Sequence, residues 1–208
     1  MIKFMNILDS IIFVVILIFS VALHEIAHGY AALHEGDDTA LRAGRLTLNP
    51  ISHLDMFGSV ILPILLVISQ TGFVFGWAKP VPYDEARLRN RRRSILLVAS
   101  AGIIANLLIA TIFALLIRAS GAFGIGMEFL PVFSIIVLLN IVLAIFNLVP
   151  IPPLDGSKIL FALLPERYQH LEATLLRYSF IFVIIFIFFL WQYISPVVTL
   201  IFRFLVGS

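Results

Sequence analysis

The chain has 208 residues, of which 61% are hydrophobic and only 12% charged. Its mean hydropathy of +1.09 lies far outside the soluble globular range and excludes an ordinary water-soluble domain. The net charge of +2 could suggest nucleic acid in a soluble protein. Here Lys and Arg cluster beside apolar segments, so membrane topology explains them and no nucleic-acid partner is expected. With no cysteine in the chain, disulfides and thiolate metal sites are excluded, and a metal must be held by His, Asp or Glu.

The first apolar run, Ile11 to Ala32, is too long for a signal-peptide core and reads as a retained helix. A second, Met56 to Phe75, is interrupted by Gly58, Pro63 and Gly72, which leaves a full span, a re-entrant segment or partly extended backbone open. The runs Ser94 to Ile117 and Leu130 to Val149 are long enough to cross a bilayer. A short glycine-containing loop joins them and predicts an antiparallel hairpin. After a proline-rich break and a polar stretch from Glu166 to Arg177, the last run extends from Tyr178 towards Leu205 with Pro196 inside it, as one kinked helix or a span plus a tail. The expectation is a single integral-membrane domain over residues 1–208. Its fold class is an all-α polytopic membrane protein with about four to six transmembrane helices and a re-entrant or irregular segment near the site. It is expected to be a multi-pass protein of the cell membrane.

Chemistry concentrates at His24-Glu25-Ile26-Ala27-His28 in the first run. Residues four apart on a helix share a face, so both imidazoles can reach one metal ion, while Glu25 is turned about 100° away and can address water instead. Ionisable groups in an otherwise apolar helix cost roughly 2.5–3.5 kcal/mol each on insertion scales, which makes a functional reason the default. A catalytic zinc takes three protein ligands and keeps one open position. The best third donor is Asp155, in Asn147-Leu-Val-Pro-Ile-Pro-Pro-Leu-Asp155-Gly156, where three prolines oppose regular helix and Gly156 allows a tight turn. The plainer reading of Asp155 is a helix cap in a loop. His53 and Asp55 could serve a water path, orient the imidazoles or simply lie in a polar interfacial loop; His34 and His170 read as interfacial.

At these positions the chain resembles the site-2 protease family of intramembrane zinc metalloproteases. The resemblance rests on His24-Glu25-x-x-His28, on Asn147 to Gly156, and on Ala101-Gly-Ile-Ile-Ala-Asn106, which is similar to the family's Gly-x-x-x-Asn motif. Asn49-Pro-Ile-Ser-His53-Leu-Asp55 and Gly76-Trp-Ala-Lys-Pro-Val-Pro82 look like the compact bacterial and archaeal branch, and no PDZ insertion or regulatory nucleotide-binding domain is evident. The resemblance implies one catalytic Zn2+ held by His24, His28 and Asp155, Glu25 as general base, and Asn147 as a residue that positions or polarises the scissile carbonyl. It also implies a membrane-spanning protein as substrate. A transporter or channel that uses the His/Asp site for metal or protons is the alternative, and a scaffold with a structural metal is a third; neither needs a non-ligating carboxylate beside the first His.

For His24, His28 and Asp155 to meet, the first and fourth runs must finish on the same side of the membrane. The hairpin contributes two crossings, so the Met56–Phe75 run is expected not to cross completely. The basic residues from Arg42 to Arg93 then share a compartment with Lys158, Arg167 and Arg177, which the positive-inside rule makes cytoplasmic.

Overall fold

The computed structural model describes residues 7–69, 79–165 and 168–207. Gly72, Phe75, the Gly76–Ala78 part of the resemblance, and Arg167 lie outside the described residues. Within them the elements are helical: α1 (Ile7–His34), α2 (Thr39–Arg42), α3 (Leu62–Ile68), α4 (Arg91–Arg118), α5 (Ser120–Phe123), α6 (Leu130–Leu148), α7 (Asp155–Leu163), α8 (Gln169–Arg177), α9 (Ser179–Ile185) and α10 (Trp191–Val206). A π-helical turn, Phe186–Leu190, joins α9 to α10. The last run is therefore one helical span with Pro196 inside it. Four described helices are long and apolar enough to cross a membrane: Leu8–His34, Arg91–Arg118, Met127–Leu148 and Ile181–Val206. The fold is an all-α polytopic membrane protein.

Helix α4 is the centre of the bundle and packs against α1, α6, α7 and α10. Its buried residues Ser94, Val98, Gly102, Asn106, Ala110 and Ala114 recur every fourth position. That spacing forms one ridge of mostly small side chains, which lets neighbouring backbones approach without a hydrophobic driving force between lipid-bathed helices. The ridge ends in a cluster with Val137 and Ile141 of α6 and Val198 of α10. On α1 the matching stripe is Ser20, His24, His28 and Ala32, all buried. Outward-facing Leu8, Ile11, Val15 and Phe19 are exposed, the surface a helix presents to hydrocarbon.

Helices α1 and α4 run antiparallel. The end of α1 meets the start of α4 where Ser94 Oγ donates to Glu35 Oε2 at 2.6 Å and Arg89 N–H donates to the Glu35 carbonyl at 2.9 Å. Helix α7 reaches the same end, because the Arg92 guanidinium donates to the carbonyls of Ala162, Leu163 and Leu164, capping α7's last turn. The His-bearing half of α1 and the segment after α6 thus lie towards the same end of the bundle. The described part of the second run is a π-helical turn, Met56–Ile61, followed by the seven residues of α3. Together these thirteen described residues are about 20 Å long. Asp55 Oδ1 starts this segment by accepting from the N–H groups of Phe57 and Gly58 at 3.1 and 2.7 Å.

Candidate metal centre

The stripe on α1 directs both imidazoles at α4 and at the start of α7. His24 Nε2 lies 3.1 Å from Asp155 Oδ2, His28 Nε2 lies 3.1 Å from the same oxygen, and the two Nε2 atoms are 3.0 Å apart. All three residues are buried. No other group of three such donors converges among the described residues.

The protonation of His28 follows from its far side. Its Nδ1 lies 2.7 Å from the Val98 carbonyl oxygen, which can only accept, so Nδ1 carries a proton, and the neutral form of the ring has its lone pair at Nε2. A lone pair facing a carboxylate oxygen and a second imidazole nitrogen calls for a cation between them. Burial works against ionisation of Asp155, yet facing His24 and His28 its carboxyl is held well below the ordinary carboxylate range, which makes it an anionic donor.

These residues fit zinc. Bonds of about 2.0–2.1 Å in a tetrahedral arrangement put donor atoms roughly 3.3 Å apart, close to the observed separations. The floor of the cradle is Gly102: a Cβ there would stand 2.5 Å from His24 Cε1 and from His28 Nε2, so only glycine leaves the space.

Glu25, on the adjacent face of α1, does not join the three donors. Its Oε2 accepts the backbone N–H of Val81 at 2.8 Å. Val81 belongs to a non-helical strip, which is tied down where Lys79 N–H donates to the His53 carbonyl and Arg45 donates to the Lys79 carbonyl. Asn147 is near the end of α6, but its amide donates to the Leu143 carbonyl at 3.0 Å, and no hydrogen bond joins it to His24, Glu25, His28 or Asp155.

Asp155 is not in irregular backbone: it is the first residue of α7, immediately after the prolines. Gly156 is inside that helix and does not have positive φ. Its requirement is contact, since a Cβ would strike the Leu148 carbonyl at the end of α6. His53 is buried, with Nε2 donating to the Thr47 carbonyl at 2.9 Å, and so neither meets water at an interface nor stands among the donors. His34 is exposed, beside Glu35.

Lys158 was not legible as part of the site. One turn along α7, its Nζ comes within 4.0 Å of Asp155 Oδ1 and sits over the Tyr83 ring, 4.9 Å from the centroid. Burial favours its neutral form, but Tyr83 and the Asp155 charge outweigh this and its pKa is raised. Recognising Asp155 as a helix start would have revealed the i, i+3 pair.

The sequence profile of Peptidase family M50 matches residues 120–190. "Putative zinc metalloprotease YwhC" of Bacillus subtilis is 41% identical over 183 residues, which cover 84% of this chain and 79% of that protein. The chain belongs to peptidase family M50. Two further relatives are similar over less of their own length. "Putative zinc metalloprotease Rip2" of Mycolicibacterium smegmatis is 31% identical, with 80% of this chain and 62% of that protein covered. "Zinc metalloprotease MJ0392" of Methanocaldococcus jannaschii is 27% identical, with 77% and 36% covered. No solved structure gave a match. As an M50 member the chain is a zinc metalloprotease, and the comparisons lend no support to a transporter or channel.

Proposed function

We propose that this M50 protease works inside the bilayer of the cell membrane, with His24, His28 and Asp155 holding one zinc ion, Glu25 as general base, and membrane-anchored proteins as substrates. The observation that carries the reading is the convergence of three buried donor residues, two of them on a membrane-spanning helix that also bears Glu25 and the third, Asp155, at the start of α7. When bound there, zinc supplies Lewis acidity that lowers the pKa of a coordinated water towards about 7 and polarises a carbonyl.

Glu25 takes the proton of the attacking water as its oxygen bonds to the scissile carbonyl carbon. It then delivers that proton to the departing amide nitrogen as the C–N bond breaks, giving a carboxylic acid and an amine and restoring the base; the acid's remaining proton passes to the amine, leaving a carboxylate and an ammonium group. The Val81 N–H holds one carboxylate oxygen and thereby fixes the direction in which Glu25 acts. Asn147, freed from the Leu143 carbonyl, is suited to hold the substrate carbonyl. A transmembrane helix hides its carbonyls in its own hydrogen bonds, so the substrate must present an unwound segment, and helix-breaking residues near the cut should speed cleavage.

Elemental analysis of purified variants tests the assignment. His24→Ala and Asp155→Ala should lose zinc, whereas Glu25→Gln should retain it and lose turnover. Zinc retained at wild-type level in Asp155→Ala would exclude that residue as the third ligand.

A further inference from the structure

Resting on the zinc reading above, we propose that Asn106 is a positioning residue of the metal centre, its amide oxygen accepting the Nδ1–H of His24 and so aiming the His24 Nε2 lone pair at the metal. The observations concern α4. This helix meets the far nitrogen of both imidazoles: the Val98 carbonyl faces His28 Nδ1 at 2.7 Å, and the Asn106 amide faces His24 Nδ1 at 3.2 Å. Between those contacts, on the same ridge, Gly102 makes the space under both rings.

Asn106 is fully buried in a membrane-spanning helix, where an amide is costly unless it is used. It differs from the other buried or half-buried amides of the bundle. Asn140 and Asn147 each donate back to the carbonyl four residues earlier, and Asn140 also bonds Ser20 across to α1. The hydrogen bond of the Asn106 amide goes to His24.

The orientation of that amide decides the chemistry. With Nδ2 towards His24 Nδ1, the imidazole is the acceptor, its proton sits on Nε2, and Nε2 has no lone pair for a metal. One end of the amide lacks a partner in either orientation, Oδ1 in this one and Nδ2 in the other, so the lone pair a metal needs at Nε2 decides between them. A half-turn of the carboxamide exchanges two groups of nearly equal shape and brings the acceptor onto Nδ1. The proton is then held on Nδ1, as the Val98 carbonyl holds it on His28, and both Nε2 lone pairs converge with Asp155 Oδ2. A metal-loaded site is incompatible with the first orientation, which would set an amide N–H against the imidazole N–H.

The test measures zinc affinity of the full-length protein in detergent by competition with a chromogenic chelator. Asn106→Leu preserves size and removes the acceptor, and should weaken zinc binding about 10- to 100-fold, the usual effect of losing a bond that orients a ligand. Asn106→Asp keeps an acceptor facing Nδ1 and should restore affinity to within a few-fold of wild type. The visible absorption of the Co2+-loaded protein should shift in Asn106→Leu and return in Asn106→Asp, which loss of packing alone would not produce. Asn140→Leu, which removes a buried amide that does not touch His24, should leave affinity unchanged. If Asn106→Leu does not fold, Asn106→Ala provides the same comparison with Asn106→Asp. Wild-type affinity in Asn106→Leu, or an equal loss in Asn106→Asp, would overturn the proposal while leaving the protease reading intact. A wild-type protein that binds no zinc would contradict both.

Discussion

His28 Nδ1 and the Val98 carbonyl oxygen, 2.7 Å apart, hold a proton on the far side of one imidazole of the candidate metal centre from a different helix. The same ridge of α4 carries Gly102 beneath both rings. The donor set on α1 is thus shaped by α4, and α1 in isolation would not hold the two imidazoles in this arrangement. Gly102→Ala should therefore abolish tight zinc binding even though alanine favours helix, because its Cβ occupies the space the metal needs. Zinc content after dialysis measures this, and retention at wild-type level would show that the rings can move aside.

The contact between Glu25 and Val81 predicts a separation of metal binding from turnover. Val81→Pro removes the N–H that holds Glu25, in a non-helical segment where Val81 already stands between Pro80 and Pro82. A hydrogen bond to a charged group contributes about 1.5–3 kcal/mol, so kcat should fall roughly 10- to 100-fold with zinc content unchanged. Unaltered kcat would show that the strip does not position the base.

Asp37, just beyond the end of α1, ties two loops together. It accepts from Thr39 N–H at 3.0 Å, from the Thr39 hydroxyl and from Asp84 N–H at 2.6 Å. Burial acts to raise its pKa, but the bonds from Thr39 and Asp84 outweigh this and lower it below the ordinary 3.8. A depressed folded-state pKa gives stability that is fully present above the unfolded value and is lost as pH falls through the folded one. Asp37→Asn should lower the melting temperature at pH 6, and the gap to wild type should shrink below about pH 3.8. A gap independent of pH would mean that the carboxylate charge contributes nothing.

Membrane orientation follows from the charges. Arg87, Arg89, Arg91, Arg92, Arg93 and Lys158 lie on segments at the end where α1 stops and α4 and α7 start, whereas Arg118 donates to the Phe204 carbonyl at the other end, beside Arg203. By the positive-inside rule the candidate metal centre is expected to open towards the cytoplasm. Single cysteines at Thr39 and Asn90, in a chain that has none, should both be labelled from the cytoplasmic side. Opposite accessibility would mean that the segment containing Met56–Ile68 crosses the membrane.

Much of this site was legible because α1 is a poor background for ionisable groups. His24, Glu25 and His28 stand out in an apolar run, and their spacing alone gives the shared face. Asp155 was legible from the prolines around it, but they also concealed α7: proline opposes the helix interior, whereas α7 begins just after Pro153 and Leu154. Missing that start hid Lys158 and gave Gly156 a turn in place of its close approach to Leu148. The partners of Glu25 and His28 are the backbone N–H of Val81 and the carbonyl of Val98, which leave no side-chain signal. Only the fold brings them to the site.

The most direct test reconstitutes the purified, zinc-loaded protein in lipid vesicles with a single-span membrane protein as substrate, and identifies the products by mass spectrometry. The account predicts zinc-dependent cleavage of a peptide bond within or at the edge of the span, and its loss in the Glu25→Gln protein at undiminished zinc content. Cleavage by Glu25→Gln at the wild-type rate would contradict it.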